Sequence, residues 1–221
     1  MEKTSAESQF EAYRRSLLDE ITRLATCIQI YIRLHEHRGD RLAALNTAPE
    51  FFTTVLGALL TTIVLWTDKL FCRKSEHGLE HFLAFIKTNI ATLDIAELKR
   101  RKGYSDDHWM LQGRESITSQ TIKSDRRRLQ QLKVLPAIRL RRNKFHAHFD
   151  KEYFFDKGRL ATDAPLRIPD LEELISVATE VVNRYSTAYD GVYFRTTTMN
   201  ATDIDELLDI VHEALRQADQ R

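Results

Sequence analysis

The sequence predicts an all-α helical bundle, and three observations carry that expectation. Glycine (7) and proline (4) are scarce among 221 residues, which disfavours a turn-rich β-sandwich. Apolar residues recur at spacings of three and four, the period of one helix face. Hydrophobic residues make up 43% of the chain and charged residues 29%, the balance of a folded soluble domain rather than a disordered one. The length suits one domain with a substantial core. No repeat, low-complexity tract or domain boundary divides it, so residues 1–221 read as a single domain.

The elements follow from the N-terminus. Phe10, Tyr13, Leu17, Ile21, Leu24, Ile28 and Tyr31 form one stripe, predicting a helix over about residues 6–37 that stops before Gly39-Asp40. A second helix opens at Ala48-Pro49-Glu50, with proline in the first turn where its missing N–H does no harm. It carries an uncharged run from Phe51 to Thr67, closed by Glu50 and Asp68. The run is shorter than the roughly 20 apolar residues of a membrane span and contains five threonines. The expectation is a helix buried all round in a bundle, with no membrane partner.

Leu79 to Ile90 reads as a short amphipathic helix, and Lys99 to Gly113 as a loop or small insertion. From Ile117 to about Asp150 the pattern is helical again, divided by Pro136, since an interior proline removes a hydrogen bond and clashes with the preceding turn. Residues 153–168, with the turn signal Asp156-Lys157-Gly158, read as a loop or hairpin. Pro169-Asp170 opens a helix bearing Leu171, Leu174, Ile175, Ala178, Val181, Val182 and Tyr185. A last helix over about 202–217 carries Ile204, Leu207, Leu208, Val211 and Leu215, with Thr202 or Asp203 as its cap.

The function classes narrow next. Two cysteines, Cys27 and Cys72, build neither a disulfide framework nor a zinc site and fit a reducing compartment. The polar start MEKTSAESQFEAYRR lacks a signal peptide's apolar stretch, so a cytoplasmic location is expected. His35-Glu36-His37 does not converge on a helix, and His77 and His81 have metal-compatible spacing but no evident third ligand. No cofactor is expected. The net charge of +1 conceals an asymmetry: Lys99 to Lys144 holds 14 Lys/Arg against four Asp/Glu. Lys123, Arg126, Arg127, Arg128, Lys133, Arg139, Arg141, Arg142 and Lys144 crowd its second half, with Asp125 their only acid. Such a surface attracts phosphates, or else pairs with acids of the C-terminal helices.

The basic run ends in Arg142-Asn143-Lys144-Phe145-His146-Ala147-His148-Phe149-Asp150. On a helical wheel Ile138, Phe145 and Phe149 share a face about 40° wide, with Arg142 about 40° to one side of its centre and His148 about 80° to the other. Histidine exchanges protons near neutrality, and arginine matches phosphate bidentately. Together beside a basic groove they are a minimum for phosphodiester cleavage. His146 competes with His148, because it lies four residues from Arg142.

This segment resembles the signature of the HEPN superfamily: an arginine, a polar residue directly after it (Asn143), and a histidine after five intervening positions (His148). The resemblance is closest to the abortive-infection, AbiU-type branch. Asp68 ending an apolar helix, the short helix that follows and the order of elements extend the match over about residues 8–190.

The resemblance implies a four-helix core with additional helices, a two-fold dimer with both motifs beside one cleft, and a metal-independent endoribonuclease of a defence or toxin–antitoxin type. Arg142, Asn143 and His148 are then catalytic. His146, Asp68 and Arg141 are auxiliary candidates. Lys123, Arg126, Arg127, Arg128, Lys133, Arg139 and Lys144 are the RNA-binding candidates. An antitoxin or regulatory protein is a further expected partner. Two rivals remain: a noncatalytic HEPN-like interaction or nucleotide-binding module, with Arg142 tying helices together through Asp68, and a regulator that binds nucleic acid through the basic helix alone.

Overall fold

The structure is a computed structural model describing residues 4–36, 39, 41–146, 150–196 and 201–218. Among the described residues there is no strand. His37, Asp40, His148 and Phe149 lie outside them.

Helix α1 (Ser5–Glu36) is the spine of the bundle. Thr4 and Glu7 cap it reciprocally: the Thr4 N–H donates to Glu7 Oε2 at 2.8 Å and the Glu7 N–H to Thr4 Oγ1 at 3.2 Å. Its stripe is buried as the spacing predicts, with Phe10, Ile21, Leu24 and Ile28 fully enclosed. After the single-turn helix α2 (Leu42–Leu45) comes α3 (Pro49–Phe71), with its proline in the first turn. Then follow α4 (Leu79–Thr88), α5 (Ile95–Lys102), α6 (Ser119–Gln130) and α7 (Leu135–Arg141). Helix α7 begins at Leu135 with Pro136 in its first turn, near where the sequence places the break. Short α8 (Lys151–Phe155) and α9 (Lys157–Asp163) lead into α10 (Ile168–Asp190) and α11 (Asp203–Ala218).

Helices α1, α3, α4, α6, α7 and α10 share one core. A smaller apolar cluster joins the C-terminal half of α1 to α2, the first half of α3 and α11 through Leu34, Leu45, Phe52, Leu56 and Leu208. A third packs Tyr153, Leu160 and Ala164 against Ala137, Leu140 and Phe145, fixing α8 and α9 beneath the motif segment.

Three expectations need correction. Lys99–Lys102 is not loop but the end of α5, whose basic last turn favours a helix C-terminus and whose stop is Gly103 at φ +66°. Residues 153–168 form no hairpin: Asp150 caps α8 by accepting the Glu152 N–H, and Asp156 caps α9 by accepting that of Arg159. Helix α3 is not buried all round. It is long and apolar enough to cross a membrane, yet only 17% of its most apolar stretch is buried. Ile63, Val64, Thr67, Asp68, Leu70 and Phe71 enter the core, whereas Phe51, Thr53, Thr54, Gly57 and Ala58 stay exposed. The bundle covers one side of α3 only.

Candidate active site around Arg142

Helix α7 does not continue as an ideal helix through the motif. From Arg142 to His146 the backbone widens into a π-turn, a local irregularity frequent at functional sites. The wheel drawn for regular helix therefore does not apply beyond Arg141. Ile138 lies in the main core, while Phe145 packs with the α8–α9 cluster instead.

Two adjacent arginines separate at this point. Arg141 is buried and donates from Nε to the Ala164 carbonyl at 2.6 Å and from Nη2 to the Leu160 carbonyl at 3.4 Å. It thereby caps the carbonyl end of α9. Burial lowers its pKa, opposed by Tyr31. Arg142 turns the other way. Its Nε lies 3.2 Å from Asp68 Oδ2, and Nη1 donates to Asn143 Oδ1 at 2.6 Å. Its side chain remains 44% exposed while Asp68 is 10% exposed. The guanidinium is thus held at Nε by α3 and at Nη1 by Asn143, with the side chain still partly open to solvent.

His146 points inward. The Thr61 hydroxyl lies within hydrogen-bonding distance of both the Gly57 carbonyl, at 2.9 Å, and His146 Nδ1, at 3.1 Å. Burial first, then the charge of Arg141, pushes the imidazole pKa below its ordinary value, so the ring is neutral at pH 7. Nε2 is enclosed and has no hydrogen-bond partner among the described residues. The buried Thr67 hydroxyl on the same helix shares that condition. Thr61 has no place among the sequence-derived candidates; it is one of five threonines in the uncharged run, and nothing in the sequence sets it apart.

Lys144 Nζ pairs with Asp150 Oδ2 at 2.7 Å, closing the π-turn onto the cap of α8. Each partner's hydrogen bond to the other, first among the causes, raises the lysine pKa and lowers that of the carboxyl.

The basic stretch divides into held and open side chains. Arg126 pairs with Glu80 at 2.8 Å and Arg128 with Glu180 at 2.6 Å. Asp125, the stretch's one acid in this half, turns inward, accepting from the Tyr185 hydroxyl at 2.8 Å and pairing with Arg184 at 3.2 Å. Lys123, Arg127, Lys133 and Arg139 are exposed and enter no ion pair among the described residues. Arg139 lies three positions before Arg142, on the side of α7 that leads to it.

The acids of α11 do not cover this surface. Asp205 pairs with Arg33 and, at 3.4 Å, with Arg41, and Asp209 pairs with Arg41 at 2.8 Å. Among the described residues no group of three or more His, Cys, Asp or Glu side chains could hold a metal ion. His81 instead lies against the Tyr13 ring, centroids 6.2 Å apart.

The family model HEPN_AbiU2, described as AbiU2, matches residues 7–210. The chain belongs to this HEPN family. The match begins in α1 and ends within α11, so α1, Asp68 and the Arg142 segment all fall inside it. It supports a HEPN function of the abortive-infection type for this all-α bundle. No curated protein and no solved structure matches the chain.

Proposed function

We propose that this AbiU2-type HEPN protein is a metal-independent endoribonuclease of a defence or toxin–antitoxin type, acting as a homodimer in the cytoplasm and held in check by an antitoxin or regulatory protein. The observation that carries the reading is the Arg142 guanidinium, held at Nε by Asp68 and at Nη1 by Asn143 while the side chain stays 44% exposed. A fixed, permanently charged fork facing solvent is pre-organised for a phosphate. Arg139, Lys123, Arg127 and Lys133 supply further unpaired positive charge for an RNA backbone.

In the proposed reaction the RNA 2′-OH gives its proton to His148 and attacks the adjacent phosphorus. Arg142 holds the charge that develops on the phosphate oxygens. The P–O5′ bond breaks, the protonated His148 returns its proton to the leaving O5′ through water, and the products carry a 2′,3′-cyclic phosphate and a 5′-hydroxyl. His148 is preferred to His146 because His146 has one nitrogen on Thr61 and the other enclosed, out of reach of a surface-bound backbone. Asn143 orients the guanidinium.

The exposed, uncharged face of α3 supports the dimer. Phe51 is 60% exposed, and on the neighbouring α11 Leu207 is 47% and Ile210 68% exposed. An isologous interface sets a patch against its own copy, and a face without charge meets no repulsion there. Thr61 of the same helix touches His146, so a copy seated on α3 stands beside the motif.

The noncatalytic reading rests on the same Arg142–Asp68 pair serving only to join α7 to α3. Purified protein incubated with RNA in EDTA separates the two. The endonuclease reading expects cyclic-phosphate ends from wild type and His146→Ala, and at least about a hundredfold less from Arg142→Ala and His148→Ala. Equal cleavage by all four proteins indicates a contaminating nuclease, and no cleavage by wild type leaves the interaction module.

A further inference from the structure

The loop between α5 and α6 builds an aromatic column with no part in the Arg142 site. Gly103 turns the chain out of α5, and the Tyr104 N–H returns to the Lys99 carbonyl at 3.2 Å. The His108 ring stacks on Tyr104 with centroids 3.8 Å and planes 8° apart. Trp109 continues the column at 5.9 Å and 26°. The middle ring is fixed, because His108 Nδ1 accepts the Met110 N–H at 3.2 Å.

The loop is clamped to the bundle at its far end. The Met110 methyl lies against Gly191 so closely that a β-carbon there would meet it at 2.9 Å, and Arg114 donates to the Thr187 carbonyl. Trp109 nevertheless belongs to none of the apolar clusters and is 71% exposed. A large ring held at the end of an ordered stack contributes nothing to the core and offers a free face to solvent.

Beside it, among the described residues, one cation stays unspent. Lys99 is paired with Asp106, whereas Lys102 is exposed, enters no ion pair among the described residues and lies two positions before Tyr104. Asp107 and Glu115 are the loop's acids outside that pair; the hydrogen bond of Asp107 to Ser105, the largest influence, keeps its pKa low. Stacked aromatic rings beside a cation are the elements with which proteins hold single strands without reading sequence.

We propose that the Tyr104–His108–Trp109 column is a stacking platform for a base of single-stranded RNA, gripping the strand away from the bond that is cut. The inference rests on the endoribonuclease reading for its ligand, and its test is a binding measurement that needs no turnover. In an Arg142→Ala, Trp66→Phe background, Trp109 is the only tryptophan of the chain. Titration with an oligoribonucleotide of about 12 nucleotides is expected to quench its fluorescence.

Trp109→Ala is expected to weaken binding about 5- to 100-fold and Trp109→Phe far less, since phenylalanine keeps a face for stacking. The slope of log affinity against log salt should stay unchanged in Trp109→Ala, because no phosphate contact is lost. Asp107→Asn should tighten binding. Unquenched fluorescence with unchanged affinity in Trp109→Ala overturns the platform, including the outcome in which Trp109 anchors a protein instead, and leaves the nuclease reading standing if wild type still cuts RNA. A salt slope that falls with Trp109→Ala also contradicts it.

Discussion

At the scale of single residues, the site depends on neighbours being sent to opposite sides. Arg141 and Arg142 are chemically identical and adjacent, yet one caps α9 from inside and the other faces solvent beside Asp68. The sequence makes Arg142 and Asp68 legible, because an arginine followed by asparagine and a histidine at fixed spacing is a pattern. It cannot show the π-turn that separates the two arginines, since that depends on how α8 and α9 pack beneath it.

His146 carries a pH prediction. Its pKa is depressed in the folded state, so the unfolded chain binds the proton first. The stability it confers is complete above the ordinary histidine pKa of about 6.5 and is lost as pH falls through the lower folded value. Denaturant midpoints should fall on acidification below that point in wild type and fall less in His146→Gln. Glu7 works in a lower window. Burial alone would raise its carboxyl, but hydrogen bonds from the Thr4 backbone, Arg101 and the Thr4 side chain, with the charge of Arg100, bring it to about 2. Its contribution is therefore full above the usual glutamate value and lost as pH drops toward 2. Glu7→Gln at pH 7 should cost on the order of 3 kcal/mol in chemical denaturation.

At the scale of elements, long helices are legible and short ones are not. The stripes of α1 and α10 fix their own boundaries because many apolar positions vote for one period. Helix α5 spans eight residues and ends in four basic ones, so charge masks its single buried leucine, Leu98. Helices α8 and α9 hold five and seven residues and are made by aspartate caps and by tertiary packing, not by periodicity.

Helix α3 shows a different limit. An uncharged run identifies a helix, but composition cannot tell a face buried in its own bundle from one reserved for another surface. Gly57 gives a test at this scale. A β-carbon there meets nothing within 4 Å, so Gly57→Ala should stabilise the protomer by about 1 kcal/mol through helix propensity. A charge on the same face, Ala58→Arg, should leave the fold unchanged by circular dichroism and shift sedimentation from dimer to monomer. A dimer that survives Ala58→Arg places the interface elsewhere.

At the scale of the whole molecule, a net charge of +1 is the sum of two unlike regions that do not cancel each other in space. Asp205 and Asp209 of α11 are spent on Arg33 and Arg41 and Glu213 on Arg216, and the central basic stretch takes partners from α4 and α10 at Glu80 and Glu180. What remains open is a short series of cations leading along α6 and α7 toward Arg142. Replacing Lys123 and Arg127 together should therefore weaken RNA binding similarly for all sequences and reduce the salt slope by about 2. Such surplus charge was visible in the sequence; which arginines are spent on acids was not, because the pairing partners lie 46 and 52 positions away. The central claim is that Arg142 and His148 cut RNA without a metal. Its most direct test is the end-group analysis of RNA treated with wild type and with His148→Ala in EDTA. The account predicts 2′,3′-cyclic phosphate ends that disappear with the variant, and ends of equal amount from both proteins would contradict it.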